Sequence, residues 1–243
     1  MLMNRLLPGP CTEVDTLEAY AVPTTGTPHV RVNMVASLDG AAAIEGRVGT
    51  LSGKADAALL HELRSLCDVL VVGAGTIRAE GYGPLRVSDE QQQRRVTTGQ
   101  SPVPRLAVLT RSLDLDLAAR VFTEASARPL VVTTDRAPAE RREEASAVAD
   151  VVVAGESDVD LAATVAELAG RGMPRILSEG GPHVLGSLYA ADLVDELCLA
   201  VSPVVTGGEA VRITSGPLLV PPRAMHLGHV LEKDEFLFLR YTR

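Results

Sequence analysis

No stretch limits the fold of this chain more than residues 175–191. There an apolar run (Arg175-Ile176-Leu177-Ser178) enters Glu179-Gly180-Gly181-Pro182, and a helical pattern leaves it from His183 to Ala191. A strand, a tight glycine turn and a helix start aim backbone N–H groups at an anion. Glycines let a diphosphate approach the main chain with no Cβ in the way. Glu179 falls at the strand's end, where α/β sheets place ligand groups. By spacing alone the junction fits a nucleotide site and a plain βα turn equally.

The same alternation recurs along the chain. Strands are expected at Val30–Ser37, Asp68–Gly73, Arg105–Thr110, Pro129–Thr134, Val151–Ala154 and Arg175–Ser178. Helical spacing covers Lys54–Cys67, Gly75–Glu80, Ala137–Ala149 and Leu161–Gly170. Right-handed crossovers then give a largely parallel sheet, an α/β fold. Three later segments, Leu193–Val205, Ala224–Leu231 and Glu235–Tyr241, read as strands with no helix between them, the last two joined by a polar turn at 232–235. They predict an antiparallel C-terminal ribbon. Residues 1–28 read as an irregular leader to a single domain at 29–243, and the Gln-rich stretch 87–104 as a loop or frayed helix.

Aromatic residues make up 3% of the chain and Trp is absent, so the core is aliphatic and a ligand ring must rest on aliphatic side chains. The net charge of −8 argues against nucleic acid or an anionic membrane as partner. A phosphorylated ligand must be held by local arginines and backbone amides. Cys11, Cys67 and Cys198 are odd in number and far apart, which supports neither a disulfide framework nor a zinc knuckle. No apolar run reaches the roughly 18 residues of a membrane span, and a cytoplasmic protein is expected. P-loop and G-x-S-x-G motifs are lacking, no metal motif joins the five histidines, and the zinc deaminase signature is absent.

Other segments fit the same ligand. Val35-Ala36-Ser37-Leu38-Asp39-Gly40 ends the first predicted strand, and is either a reverse turn or a strand exit lying beside a nicotinamide. Gly73-Ala74-Gly75-Thr76 either cups a phosphate or ribose, with the Gly75 amide and Thr76 hydroxyl as donors, or is a packing turn. Arg111, closing the 105–110 strand, suits an adenosine 2′-phosphate. Asp56 and Arg64 share a face of the 54–67 helix; Arg64 either anchors a phosphate or pairs with a carboxylate.

Taken together, the strand ending SLDG, the helix ending HELR before DVLVVGAGTIRAE, and RILSEGGPHVLGSLYAADLVDELCL resemble the pyrimidine reductases of riboflavin biosynthesis, the C-terminal domain of RibD proteins. The similarity runs from about Val30 to Arg243. It implies a dihydrofolate reductase-like single domain, with a mixed, mostly parallel sheet of about nine strands flanked by helices. Homodimers, NADPH as cofactor and a phosphorylated ribosylaminopyrimidine as substrate are also implied. Cofactor contacts carry over to Val35, Gly75, Thr76, Glu80 and Arg111, and to the turn and helix start Gly180, Gly181, Pro182, His183, Val184, Leu185, Gly186 and Ser187. Substrate contacts carry over to Arg64, Arg86 and Glu179. Asp56, in the first turn of its helix, is either a proton donor or ligand hook or a carboxylate stabilised by the helix dipole. Asp56, Glu179 and solvent are the candidate proton sources. Two segments depart from the family pattern. Val48–Gly53 stands for an S-x-W-I-T-S-like stretch, and Ala79–Arg86 for A-D-D-P-x-L-T. Reduction of a pterin or dihydrofolate, and NADPH binding without catalysis, are the competing readings.

Overall fold

Short aliphatic strands separated by amphipathic helices stack into a parallel sheet, and the computed structural model, which describes residues 1–22 and 26–243, has that form. In chain order the elements are β1 (Leu2–Leu7), β2 (Cys11–Asp15), α1 (Thr16–Ala19), β3 (His29–Ala36), α2 (Lys54–Leu66), β4 (Val69–Gly73) and α3 (Ala74–Glu80). There follow α4 (Asp89–Thr97), β5 (Arg105–Leu109), α5 (Arg120–Thr123), β6 (Leu130–Thr133), α6 (Ala139–Ser146) and β7 (Asp150–Val153). The chain ends with α7 (Leu161–Gly170), β8 (Arg175–Ser178), α8 (Pro182–Ala190), β9 (Glu196–Val201), β10 (His226–Lys233) and β11 (Phe236–Thr242).

All strands join one 11-stranded sheet in the order β2-β1-β10-β11-β9-β3-β8-β4-β5-β6-β7. From β9 to β7 every neighbouring pair is parallel; from β2 to β9 every pair is antiparallel. Alternate residues of a strand leave for opposite faces. Leu70 and Val72 therefore join the cluster holding Leu59 and Leu63 of α2, while Val69 and Val71 join the one holding Leu185 and Leu188 of α8. Each fully buried leucine or valine of these layers contributes about 1.5–3 kcal/mol.

Strand lengths shape the functional end. β8 lies between β3 and β4, and its last residue, Ser178, pairs with Val32 and Val71. β3 continues to Ala36 and β4 to Gly73, so both outrun β8. The result is a notch at the carboxyl ends of three adjacent strands, where the strand order departs from chain order. That is where open α/β sheets bind ligands.

Three expectations need correction. The leader is not irregular: β1 pairs with β10 and β2 with β1, and Met3 and Tyr20 are buried. Its strands extend the ribbon, so the sheet is wider than the expected nine strands. The 193–205 segment is strand only over Glu196–Val201; beyond Ser202, Pro203 offers no N–H to a ladder and the chain leaves the sheet. Residues 89–97 form a capped helix, because Ser88 and Gln91 make a reciprocal capping box. The helix is further anchored by Arg95, whose buried guanidinium donates to the carbonyls of Ser65 (2.8 Å), Cys67 (2.5 Å) and Ser101 (2.9 Å). Two of these acceptors lie at the end of α2, so Arg95 serves as its C-terminal partner. Arg95→Met is expected to lower stability by about 2–4 kcal/mol, because buried carbonyls lose their donor; urea unfolding measures it.

A buried ionic network ties β3, β9 and β11. Glu196 accepts from Arg31 (2.7 Å) and Arg240 (3.0 Å), and Arg31 also donates to the Tyr20 carbonyl (2.7 Å). Beside it, burial, reinforced by Arg240, pushes the His229 imidazole down to about 4. A histidine with a depressed folded-state pKa is neutral in both states above its ordinary value near 6.5. Below that, only the unfolded chain takes the proton. Stability is therefore expected to fall by about 2 kcal/mol between pH 7.5 and pH 5, and His229→Gln to flatten that slope in urea titrations.

Candidate active site

The glycine turn fills the notch. The Gly73 N–H donates to the Gly180 carbonyl (2.9 Å), and Gly180 N donates to Ser178 Oγ (3.3 Å). Gly180 has φ +81°, a left-handed backbone that favours glycine, and a Cβ there would stand 3.3 Å from Met34 Sδ. Gly181 is the N-cap of α8 with no side-chain cap, and Pro182 occupies the first turn, where its missing N–H is no loss. A Cβ on Gly181 would stand 2.9 Å from Thr76 Oγ1. The start of α8 and the first turn of α3 thus converge on one spot, and Gly75, on that turn, is exposed with open space where a Cβ would be. Positive helix ends, glycine surfaces and a hydroxyl are the donor set an anionic nucleotide needs.

The second half of the site is a charge cluster on α2, the residue that follows β8 and the segment after α3. Glu179 accepts a bidentate pair from Arg64, Nε to Oε1 and Nη2 to Oε2, both 2.6 Å, and the Tyr82 hydroxyl donates to Oε2 at 2.6 Å. The Glu179 side chain is 5% exposed and that of Arg64 19%, so the pair is shielded enough to hold its geometry. Burial, together with the Glu179 carboxylate, raises the Tyr82 phenol far above its ordinary value, leaving it a permanent donor. Asp56, in the first turn of α2 and also buried, accepts from Ser52 Oγ at 2.5 Å. Burial raises its carboxyl, the charge of Glu179 adds to the effect, and the Ser52 bond opposes it. One carboxylate is thus matched by a cation and a phenol, while its neighbour is pushed toward holding a proton. Burial with the Glu179 charge beside it favours the protonated form of Asp56, the form a general acid needs.

Residues 28–233 match the RibD C-terminal domain family. This chain belongs to that family, the pyrimidine reductases of riboflavin biosynthesis. A 2,5-diamino-6-ribosylamino-4(3H)-pyrimidinone 5′-phosphate reductase of Archaeoglobus fulgidus is 35% identical over 182 residues, which is 74% of this chain and 83% of the relative. Its counterpart in Methanothermobacter thermautotrophicus is 31% identical over 76% of this chain and 82% of its own. Among solved structures, a pyrimidine reductase-like protein of Corynebacterium diphtheriae superposes with TM-score 0.82 at 28% identity, covering 94% of this chain and 98% of that one.

Within this RibD-family domain the expected residues divide into groups. Thr76, Gly180, Gly181 and Pro182 meet at the turn, Gly75 lies exposed one residue before Thr76, and exposed His183 and Ser187 follow on the helix. Asp56, Arg64 and Glu179 meet in the charge cluster. Several others have structural duties of their own. Val184 packs against Gly73, Leu185 is core, and the missing Cβ of Gly186 makes room for the Ser215 carbonyl. Val35 is buried on β3, paired with Ala200 of β9, and the Ala36 carbonyl accepts from Ser202 N at 2.8 Å. Glu80 accepts from Val48 N at 3.0 Å and so ties down one of the two segments that depart from the family pattern. Asp39, held far below the ordinary carboxylate range first by Ser37 and then by Gly207 and Thr206, clamps the chain after β9. Arg111 faces Asp158 in an exposed pair (3.0 Å), a contact weak enough to exchange for a phosphate.

Arg86 is not brought to the cluster. Its side chain is 74% exposed and lies 3.9 Å from Glu124. Missing from the sequence-based expectation are Tyr82 and Ser52. The only sequence signal for either is that both lie in the two segments departing from the family pattern. Among the described residues, no helix is long and apolar enough to cross a membrane.

Proposed function

We propose that this chain is an NADPH-dependent reductase that converts the ribosyl group of 2,5-diamino-6-ribosylamino-4(3H)-pyrimidinone 5′-phosphate to ribityl. The observation that carries this reading is the placement of Asp56 and the Arg64–Glu179 pair beside the glycine turn of the notch. The diamino form is favoured as substrate because relatives from two organisms, at 31–35% identity, are named for it.

The residues at the turn fit a nicotinamide dinucleotide: Gly181 forms a surface that a Cβ would fill, and Gly75 leaves the facing turn open. Backbone amides at the start of α8 would hold its diphosphate, with the Thr76 hydroxyl alongside, and Arg111 would take the 2′-phosphate. When bound, NADPH supplies a hydride. Asp56, raised by burial, gives its proton to the ribose ring oxygen as the C1′–O bond opens and the exocyclic nitrogen forms C1′=N⁺. C1′ is then the hydride acceptor, and the amine product leaves with Asp56 to be reprotonated from solvent. Glu179 and Arg64 orient the ribosyl end, since Arg64 Nη1 has no hydrogen-bond partner among the described residues. Water is kept from the cluster by its burial.

The same reading carries a cytosolic enzyme, supported by three unpaired cysteines, and a homodimer, supported by exposed Leu2, Leu7, Leu227 and Leu237 on the antiparallel ribbon. Steady-state assays with NADPH test the function. Turnover of the diamino pyrimidine above its deaminated counterpart and above dihydrofolate is expected. Turnover of dihydrofolate alone would replace the reading with a folate reductase, and NADPH binding with no turnover of any of them would make the chain a binding protein.

A further inference from the structure

Tyr82 has no part in the chemistry described so far, yet it is built into the centre of the cluster. Gly81 ends α3 with a left-handed φ of +60°, and Tyr82 follows directly. Its hydroxyl lies 2.6 Å from Glu179 Oε2, and the guanidinium carbon of Arg64 lies 5.6 Å from its ring centroid. Oε2 therefore accepts from two donors and Oε1 from one. That leaves one acceptor position on Oε1, besides Nη1 of Arg64, to be offered to a ligand. The bidentate fork of Arg64 sets the plane of the carboxylate, but the fork and carboxylate can still shift together. The Tyr82 hydroxyl holds the pair from a third side, and its ring restricts the arginine by a cation–π contact. Because the phenol stays neutral, the donor is present at every working pH.

We propose that Tyr82 is a positioning residue of the substrate half: through its hydroxyl on Glu179 and its ring beside Arg64, it fixes the ion pair so that the pair's unused acceptor and donor meet the ribosyl end of the substrate in one arrangement. This rests on the function proposed above. It locates substrate affinity in a hydroxyl that itself touches no substrate.

Two variants separate positioning from mere packing. Tyr82→Phe keeps the ring and its contact with Arg64 and removes only the hydroxyl; Tyr82→Leu removes both. Steady-state kinetics with the diamino pyrimidine are compared with NADPH affinity by fluorescence and with thermal unfolding. Tyr82→Phe is expected to raise the pyrimidine KM by about tenfold or more, the weight of one hydrogen bond to a charged group. Its NADPH affinity should stay within about twofold of wild type, and its melting temperature should fall by no more than the few degrees that one lost hydrogen bond costs. Tyr82→Leu should show the larger KM effect. A Tyr82→Phe enzyme with wild-type KM, only Tyr82→Leu being impaired, would overturn the proposal in favour of packing. So would an equal loss of NADPH affinity and thermal stability in Tyr82→Phe. A wild-type enzyme that binds NADPH but never reduces the pyrimidine would instead remove the functional reading itself, and the proposal with it.

Discussion

Gly181→Val is expected to abolish measurable NADPH binding, raising its Kd by more than about a hundredfold, while leaving the sheet folded. The effect follows from space. Even a Cβ at this position stands 2.9 Å from Thr76 Oγ1, and the two further methyl groups of valine must then occupy the gap between α8 and α3. Gly181 has a φ of −70°, outside the left-handed region that favours glycine, so the clash with Thr76 carries the effect. The turn's own anchor, Gly73 N to Gly180 O, is untouched by the substitution. Valine keeps the N–H of residue 181, but its methyl groups cover the close backbone surface and press on Thr76, which removes contacts that hold a diphosphate. Fluorescence titration with NADPH measures the loss, with circular dichroism as the control for folding. Retained affinity would move the cofactor away from this turn.

Asp56→Asn should lower kcat by about a hundredfold to a thousandfold, the usual weight of a positioned general acid, with NADPH affinity unaltered. The amide preserves the shape and the bond to Ser52 but has no proton to give. The pH profile supplies an independent sign. Asp56 must be protonated to act, and burial with the nearby Glu179 charge lifts its pKa. Wild-type kcat is therefore expected to decline as pH rises through that lifted value, and the Asn variant to lose this limb. An unchanged profile in the variant would assign the proton to solvent.

Much of the fold can be read from local pattern alone. The expected elements at 161–170 and 175–178 agree with the structure to the residue. Asp160 caps the helix and the aliphatic run of the strand is continuous, so sequence and tertiary packing demand the same boundaries. The leader strands are different. β1 earns its conformation from β10, with Asn4 opposite Glu232, and nothing near Asn4 in the chain announces that partner. At the site, the glycine pair was legible because backbone approach requires glycine whatever the context. The fate of Arg64 was not, since the competing carboxylate lies 115 positions away. Tyr82 was invisible for a related reason: its value depends on where α3 delivers it. Ser88 and Gln91, by contrast, spelled out a capping box that polar composition around them obscured.

The central claim is hydride delivery to ribose C1′ of a ribosylaminopyrimidine phosphate held at the notch. Incubating the protein with that substrate and NADPH carrying deuterium at the nicotinamide C4 position tests it in one measurement, by mass spectrometry of the product. A ribitylamino product with a single deuterium on C1′ is predicted. Unchanged substrate, or a reduced product with no deuterium on that carbon, would contradict the account.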